Sequence, residues 1–220
     1  MTEPIELISD PGSPTQPIEL IAGLGNPDRE HLLTRHNAGF WFVDALAERH
    51  GGRFATERKL EGQTAEVTIG GARLRLLKPQ TYMNHSGSAL AKTVGYYKIP
   101  AERVLVVYDE IDFPPGRIKL RFGGGHAGHN GMRSVIESVG ANLWRLRIGV
   151  GHPGRGAKDR VVGHVLRRAT SAEEQVILDS IAFALDCVPL LLERGPEIAA
   201  NRLNAYKGDT GPTENGGGAD

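Results

Sequence analysis

Five short polar clusters mark the chain, most of them where an apolar run ends. They are G-L-G-N-P (23–27), T-R-H-N-A-G (34–39), Y-M-N (82–84), D-E (109–110) and G-G-G-H-A-G-H-N-G (123–131). In open α/β sheets, ligands gather outside the carboxyl ends of the strands. Loops placed this way are expected to converge on one cleft. His36 is the natural general base there, because imidazole titrates near neutral pH. Asp109, at a strand end, is suited to accept the imidazole N–H and fix its tautomer. Asn26, Asn84 and Asn130 are uncharged amides, each with two N–H donors and one carbonyl acceptor. Such groups position a water or bind a carbonyl oxygen as it becomes anionic. No serine stands in a G-x-S-x-G setting, and Cys187 lies in an apolar helical stretch. Water is therefore the expected nucleophile rather than a side chain.

Plainer readings compete with these. Taken singly, Asn84 and Asn130 read first as helix caps, and Asn26 before Pro27 as a turn residue. His126, His129 and His152 with Asp109 suggest a metal site, but H-x-x-H in a Gly-rich loop lacks the helical H-E-x-x-H setting and a well-spaced third ligand. No metal is expected. G-x-G-x-x-D (23–28) is a broken dinucleotide motif, with Asp28 at the third glycine position. The Gly-rich loop before the 129–139 segment could turn backbone N–H groups toward a phosphate. Phe40, Trp41 and Phe42 read as core packing.

The elements that must position these residues follow from patterning. IELIAGLG (18–25) and VLVVYDE (104–110) read as buried strands, LRIGVG (146–151) as another, and RIKLRF (117–122) as a half-exposed one. AEVTIGGARLRLLK (65–78) reads as a hairpin turning at Gly70-Gly71. Helices are expected from an Asn37 cap to about Glu48, from Asn84 or Ser86 to about Lys98, and from His129 to Val139. Residues 171–194 and 196–204 are also helical in period, with a kink at Pro189. Strands interleave with helices. The class is α/β, a single domain with a mixed, mostly parallel β-sheet flanked by α-helices. The folded part spans 18–206, between an acidic, Pro-rich leader (1–17) and a Gly-rich tail (207–220), both expected to be disordered.

With 220 residues, the chain has room for one core without staples. A single cysteine excludes an internal disulfide framework and a Cys-rich zinc site. No apolar run approaches the roughly 18 residues of a membrane span, and the N-terminus is no secretory signal. The expected location is cytoplasmic. Charge is lopsided. Residues 113–168 hold eleven Lys/Arg against two Asp/Glu, a net +9 in a chain whose formal charge is zero. That block points to an anionic partner or to a solvated basic surface.

Read together and in order, the motifs resemble those of bacterial peptidyl-tRNA hydrolases. The stretch G-L-G-N-P-x6-T-R-H-N-x-G (23–39) is similar to the family's first signature and G-G-G-H-A-G-H-N-G (123–131) to its second. K-P-x-T-Y-M-N-x-S-G (78–87), V-Y-D-E-I-D-x-P-x-G (107–116) and R-L-R-I-G-V-G-H-P (145–153) also match. The resemblance spans about 18–204. It implies an esterase that cleaves the bond between a peptide and the terminal ribose of tRNA and so recycles tRNA from stalled or aborted translation. The implied enzyme is monomeric, with no cofactor, no metal and no membrane, and its partner is the acceptor stem and 3′ end of peptidyl-tRNA. The family's catalytic set falls on His36, Asp109 and Asn26. Its substrate-binding set falls on His31, Met83, Asn84 and Asn130, and the pair on the acceptor-stem phosphate on Arg121 and Arg147. The chain departs from the family with Asp28 and His31 where Gly and Tyr are frequent, and with Arg121 where Lys is frequent. Rival readings are a non-catalytic RNA-binding relative, against which His36, Asp109 and Asn26 stand, and a nucleotide-binding oxidoreductase resting on the broken Gly motif.

Overall fold

A computed structural model describes residues 17–154 and 158–208. Nearly all of the expected leader and tail lies outside those residues. The chain runs β1 (Leu20–Gly23), α1 (Ala38–Arg49), β2 (Ala55–Glu57), β3 (Gly62–Ile69), β4 (Ala72–Pro79), α2 (Ser86–Tyr97) and β5 (Val104–Glu110). It continues through β6 (Ile118–Phe122), α3 (Asn130–Val139), β7 (Trp144–Gly149), α4 (Lys158–Val165), α5 (Ser171–Asp186), α6 (Val188–Arg194) and α7 (Pro196–Ala205).

The seven strands form one sheet in the order β2-β3-β4-β1-β5-β7-β6. Its central four strands are parallel, and antiparallel pairing is confined to the two flanks. Side chains alternate between faces with the strand period of two. Ile21, Leu105 and Val107 join one core with α1, α5, α6 and α7. Leu20, Ala22, Val104, Val106 and Tyr108 join the other with α2 and α3. Both faces of the central strands are therefore apolar, which is why these strands read as continuous hydrophobic runs.

Four outcomes differ from the sequence reading. Asn37 stands at the N-cap of α1, but its side chain makes no cap hydrogen bond. Neither Asn84 nor Asn130 caps a helix; His129 caps α3, its ring accepting from Met132 N–H. The Ser171–Arg194 stretch is long and apolar enough to cross a membrane by composition, contrary to the expectation from run length. It is interrupted at Cys187, and Ile177, Ile181 and Leu185 are buried in the core, so its apolarity belongs to packing. Finally, β2 and α4 were not expected at all.

Two glycines set the height of α1 against the sheet. A Cβ on Gly23 would lie 2.2 Å from the Gly39 carbonyl oxygen, and one on Gly39 would lie 2.3 Å from that of Val107. Only bare backbone lets the start of α1 sit this close to β1 and β5. The segment just before α1 carries His36, and Asp109 is the second-last residue of β5.

Candidate active site

His36 donates from Nδ1 to Asp109 Oδ1 at 2.8 Å and lies 3.0 Å from Oδ2. His129 reaches the same oxygen, with Nε2 at 2.9 Å from Oδ1. The tautomer of His129 follows from its second contact. Its Nδ1 lies 3.1 Å from Met132 N, and a backbone N–H can only donate. Nδ1 is thus the acceptor, and the ring proton sits on Nε2, pointing at Asp109. Asp109 accepts from two imidazoles while fully buried. Burial alone would push its carboxyl up. The electrostatic attraction of His36 and His129 and the hydrogen bonds they donate outweigh this and hold it well below the usual carboxylate range.

Burial also works against protonating His36, yet the Asp109 charge and hydrogen bond prevail and its pKa is raised above 6.5. With Nδ1 committed, the opposite ring nitrogen is the one available to a cavity of about 710 Å³ that His36 lines. His36, Asp109 and His129 also form the one set of three potential metal ligands among the described residues. The atoms that would bind a cation are already joined to one another by protons.

Asn26 is buried and doubly fixed. Its backbone N–H donates to Asn37 Oδ1 at 2.8 Å, and its carbonyl accepts from Asn37 Nδ2 at 3.0 Å. Its own Oδ1 accepts the Met83 N–H at 2.8 Å. The Asn26 amide therefore presents Nδ2 to the cavity, as a donor. Met83 is buried against Gly131, where a Cβ would meet its sulfur at 2.4 Å. Asn84 and Asn130 are exposed and line the same cavity. His31 lines the mouth, tied through Nδ1 to Asp28 Oδ1.

The remaining wall is apolar, built from Val161, Val162, Val165 and Leu166 at α4. Arg35 holds that wall in place. Its guanidinium donates to the carbonyls of His164, Arg167 and Arg168 at 3.3, 3.2 and 3.0 Å and to Glu173 at 2.7 Å. These carbonyls lie at the C-terminal end of α4, where a cation is favoured.

A profile of the peptidyl-tRNA hydrolase family matches residues 20–211. The chain belongs to that family. The peptidyl-tRNA hydrolase of Edwardsiella ictaluri is 49% identical over 183 residues, covering 82% of this chain and 92% of that one. That of Acinetobacter baumannii is 47% identical over 181 residues, covering 82% and 93%. A crystal structure of the A. baumannii peptidyl-tRNA hydrolase superposes with a TM-score of 0.84 at 46% identity, over 89% of this chain and 98% of that one.

In this hydrolase, seven of the nine residues singled out from sequence share the cavity: His36, Asp109, Asn26, His31, Met83, Asn84 and Asn130. Arg121 and Arg147 lie outside it, on the β6–β7 ribbon. There Lys119 pairs with Arg147 and Arg121 with Arg145. Opposed residues share a face, so the four cations stand together, while Ile118, Leu120, Leu146 and Ile148 fill the core behind them. Arg121 is exposed. Arg145 is buried and ties down the Gly-rich loop, donating to the carbonyls of Gly124 at 2.5 Å and Gly125 at 2.7 Å. Sequence reasoning treated His129 as a metal candidate at the start of a helix, took Asn37 for a helix cap, and gave no role to Arg35 or α4. For His129 a signal existed: it precedes the 130–139 helical period, three residues before Met132, at an N-cap position.

Proposed function

We propose that the chain hydrolyses the ester between the peptide, or an N-blocked amino acid, and the terminal ribose of tRNA in peptidyl-tRNA. His36 acts as the general base on water. The observation that carries this reading is the buried Asp109 carboxylate holding His36 by Nδ1, which leaves the other ring nitrogen for a proton from water. Asn26 Nδ2 donates to that water or to the ester carbonyl as charge develops on it. Water attacks the carbonyl carbon and His36 takes its proton. The ester C–O bond breaks, the ribose oxygen leaves and takes the proton back from the imidazolium, and the peptide departs as a carboxylic acid. Asn84 and Asn130 bind the peptide backbone near the ester, with Met83 and His31 in the same cleft. No metal or other cofactor enters this scheme. The reading extends to recycling of tRNA from stalled or aborted translation by a cytoplasmic, membrane-free monomer. Purified protein given N-acetyl-aminoacyl-tRNA with a chelator present should release the tRNA over many turnovers. Binding without turnover would leave an RNA-binding relative instead.

The raised His36 pKa has a consequence for pH. The base works only when neutral, so kcat/KM should rise with pH through an apparent pKa above 6.5. A profile flat from pH 5 to 8, or one that falls, would remove His36 from that role.

Arg121 is the exposed charge suited to the acceptor-stem phosphate. Arg121→Ala should raise KM for the tRNA ester and reduce the salt dependence of binding by about one unit of slope. It should matter far less for the N-acetyl-aminoacyl ester of adenosine, which has the ester but no acceptor stem. Equal losses on both would place Arg121 in folding or chemistry.

A further inference from the structure

We infer that Glu110 is a positioning residue for RNA binding, holding Arg147 in one orientation against Phe113 so that its outer edge meets a phosphate. This rests on the phosphate role that the family resemblance implies for Arg147, and it assigns a function to Glu110, the carboxylate beside Asp109 that also lines the cavity. The two acidic residues are neighbours on β5, and a strand sends successive side chains to opposite faces. Asp109 turns to His36. Glu110 turns to the face that carries Arg147, where β5 and β7 pair in register with Tyr108 beside Arg147 and Glu110 beside Gly149.

Arg147 donates to Glu110 Oε2 from Nε at 2.8 Å and from Nη2 at 2.6 Å. The other carboxylate oxygen accepts the Asp112 N–H at 3.1 Å. Both oxygens of Glu110 are thus engaged, and its side chain is 6% exposed. The guanidinium carbon lies 4.3 Å from the centre of the Phe113 ring, so the plane is backed by an aromatic face. The Arg147 side chain is 16% exposed. With Nε and Nη2 on Glu110, the Nη1 edge takes no protein partner among the described residues.

Ordinary phosphate-binding arginines contribute a mobile charge. Here the charge is already matched by a buried carboxylate, and what remains is an oriented pair of N–H donors. Arg121 supplies the unmatched charge, and Arg147 supplies direction. A pre-aimed guanidinium loses less freedom on binding than a free one. Removing the Glu110 charge therefore has two opposed effects. It makes the face more positive, which favours RNA. It also releases the guanidinium, which disfavours a fixed register. The inference is that the second dominates.

The test uses Glu110→Gln, Arg147→Lys and their double variant in the full chain, with Phe113→Leu as a change that touches no charge. Each is measured for KM and kcat on N-acetyl-aminoacyl-tRNA and on the adenosine ester, and for binding of deacylated tRNA across salt. Glu110→Gln should raise KM for the tRNA ester about tenfold or more, the scale of one charged hydrogen bond. That loss should exceed the loss on the adenosine ester by about threefold or more. Arg147→Lys should reproduce it without lowering the salt slope, since the charge stays. The double variant should be no worse than the worse single one, because both break one device. Phe113→Leu, which also frees Arg117 and Lys119 from the same ring, should shift KM in the same direction; if Glu110→Gln fails to fold, Glu110→Asp decides the matter, since it keeps the charge and loses the reach to Arg147. Tighter or unchanged tRNA binding by Glu110→Gln would overturn the inference, leaving Glu110 as a mere charge offset. So would equal losses on both esters, which would put Glu110 at the chemistry. If wild type cleaved neither ester, the proposed function would fail, and the binding arm would still judge Glu110.

Discussion

His36→Ala should lower kcat on N-acetyl-aminoacyl-tRNA by roughly 10²–10⁴-fold, or about 3–5 kcal/mol of transition-state stabilisation. Binding of tRNA should hardly change. The two effects separate because the contacts sit in different places. His36 is at the cavity end of β5, whereas Arg121 and Arg147 are on the β6–β7 face. Truncation leaves Asp109 buried with His129 as its remaining imidazole partner, and the vacated space is open to the cavity, so water can reach the carboxylate. Folding is therefore expected to survive. Tight binding of deacylated tRNA with lost turnover would be the expected pair of results. A variant with near wild-type kcat would remove His36 as the base. Asn26 Nδ2 acting on a bulk water would then have to carry the reaction.

The expected effect is large because three consecutive residues each hold a different part of the site. Arg35 anchors the carbonyls at the end of α4, which forms the apolar wall. His36 faces the cavity. Asn37 clamps the backbone of Asn26 on both its N–H and its carbonyl. A shift of this short segment would move wall, base and donor at once. It is held from below by the contact of Gly39 with the β5 carbonyl of Val107.

Much of this was legible in the sequence, for a physical reason. Strand ends are marked by the change from apolar to polar residues, so G-L-G-N-P and D-E announced both their position and their shared edge. What was missed depends on contacts that spacing does not display. Asn37 was read as a cap because asparagine before a helix favours that place. It occupies the place and uses its amide on Asn26, eleven residues earlier. The helix α4 has eight residues, too few for a periodic pattern to stand out in an 11–18-residue window. Its C-terminal carbonyls are held by Arg35, far away in sequence. The pairing of Arg147 with Glu110 was not seen either, because nothing in R-L-R-I-G shows that Glu110 lies across the neighbouring strand. Of the basic block, alternation on β6 and β7 brings Lys119, Arg121, Arg145 and Arg147 to one face, where Arg121 is exposed and Arg145 is buried.

Asp109→Asn should be nearly as damaging as loss of the base, with kcat reduced roughly 10²–10⁴-fold. Asp109 is an acceptor toward two ring N–H groups at once. Both rings meet the same oxygen, Oδ1, and only His36 also lies near Oδ2. If the amide oxygen takes the place of Oδ1, it accepts from both rings, but the NH₂ then stands about where Oδ2 was, 3.0 Å from His36 Nδ1, donor against donor. If the NH₂ takes the place of Oδ1, it needs a lone pair on each ring. The His36 proton then moves to the opposite nitrogen, and the base is blocked. The His129 proton would have to move to Nδ1, where Met132 N–H is donating. The cap of α3 would be lost, at about 1 kcal/mol. In either arrangement the carboxylate charge that raises the His36 pKa is gone, and burial then acts on the ring with no opposing Asp109 charge. Residual activity should accordingly show its rise with pH displaced to lower pH than in wild type. Thermal melts distinguish the two arrangements, since only the second weakens α3. A silent Asp109→Asn, with kcat and pH profile both kept, would mean that His36 needs no carboxylate to set its tautomer, and that Asp109 is there to hold His129.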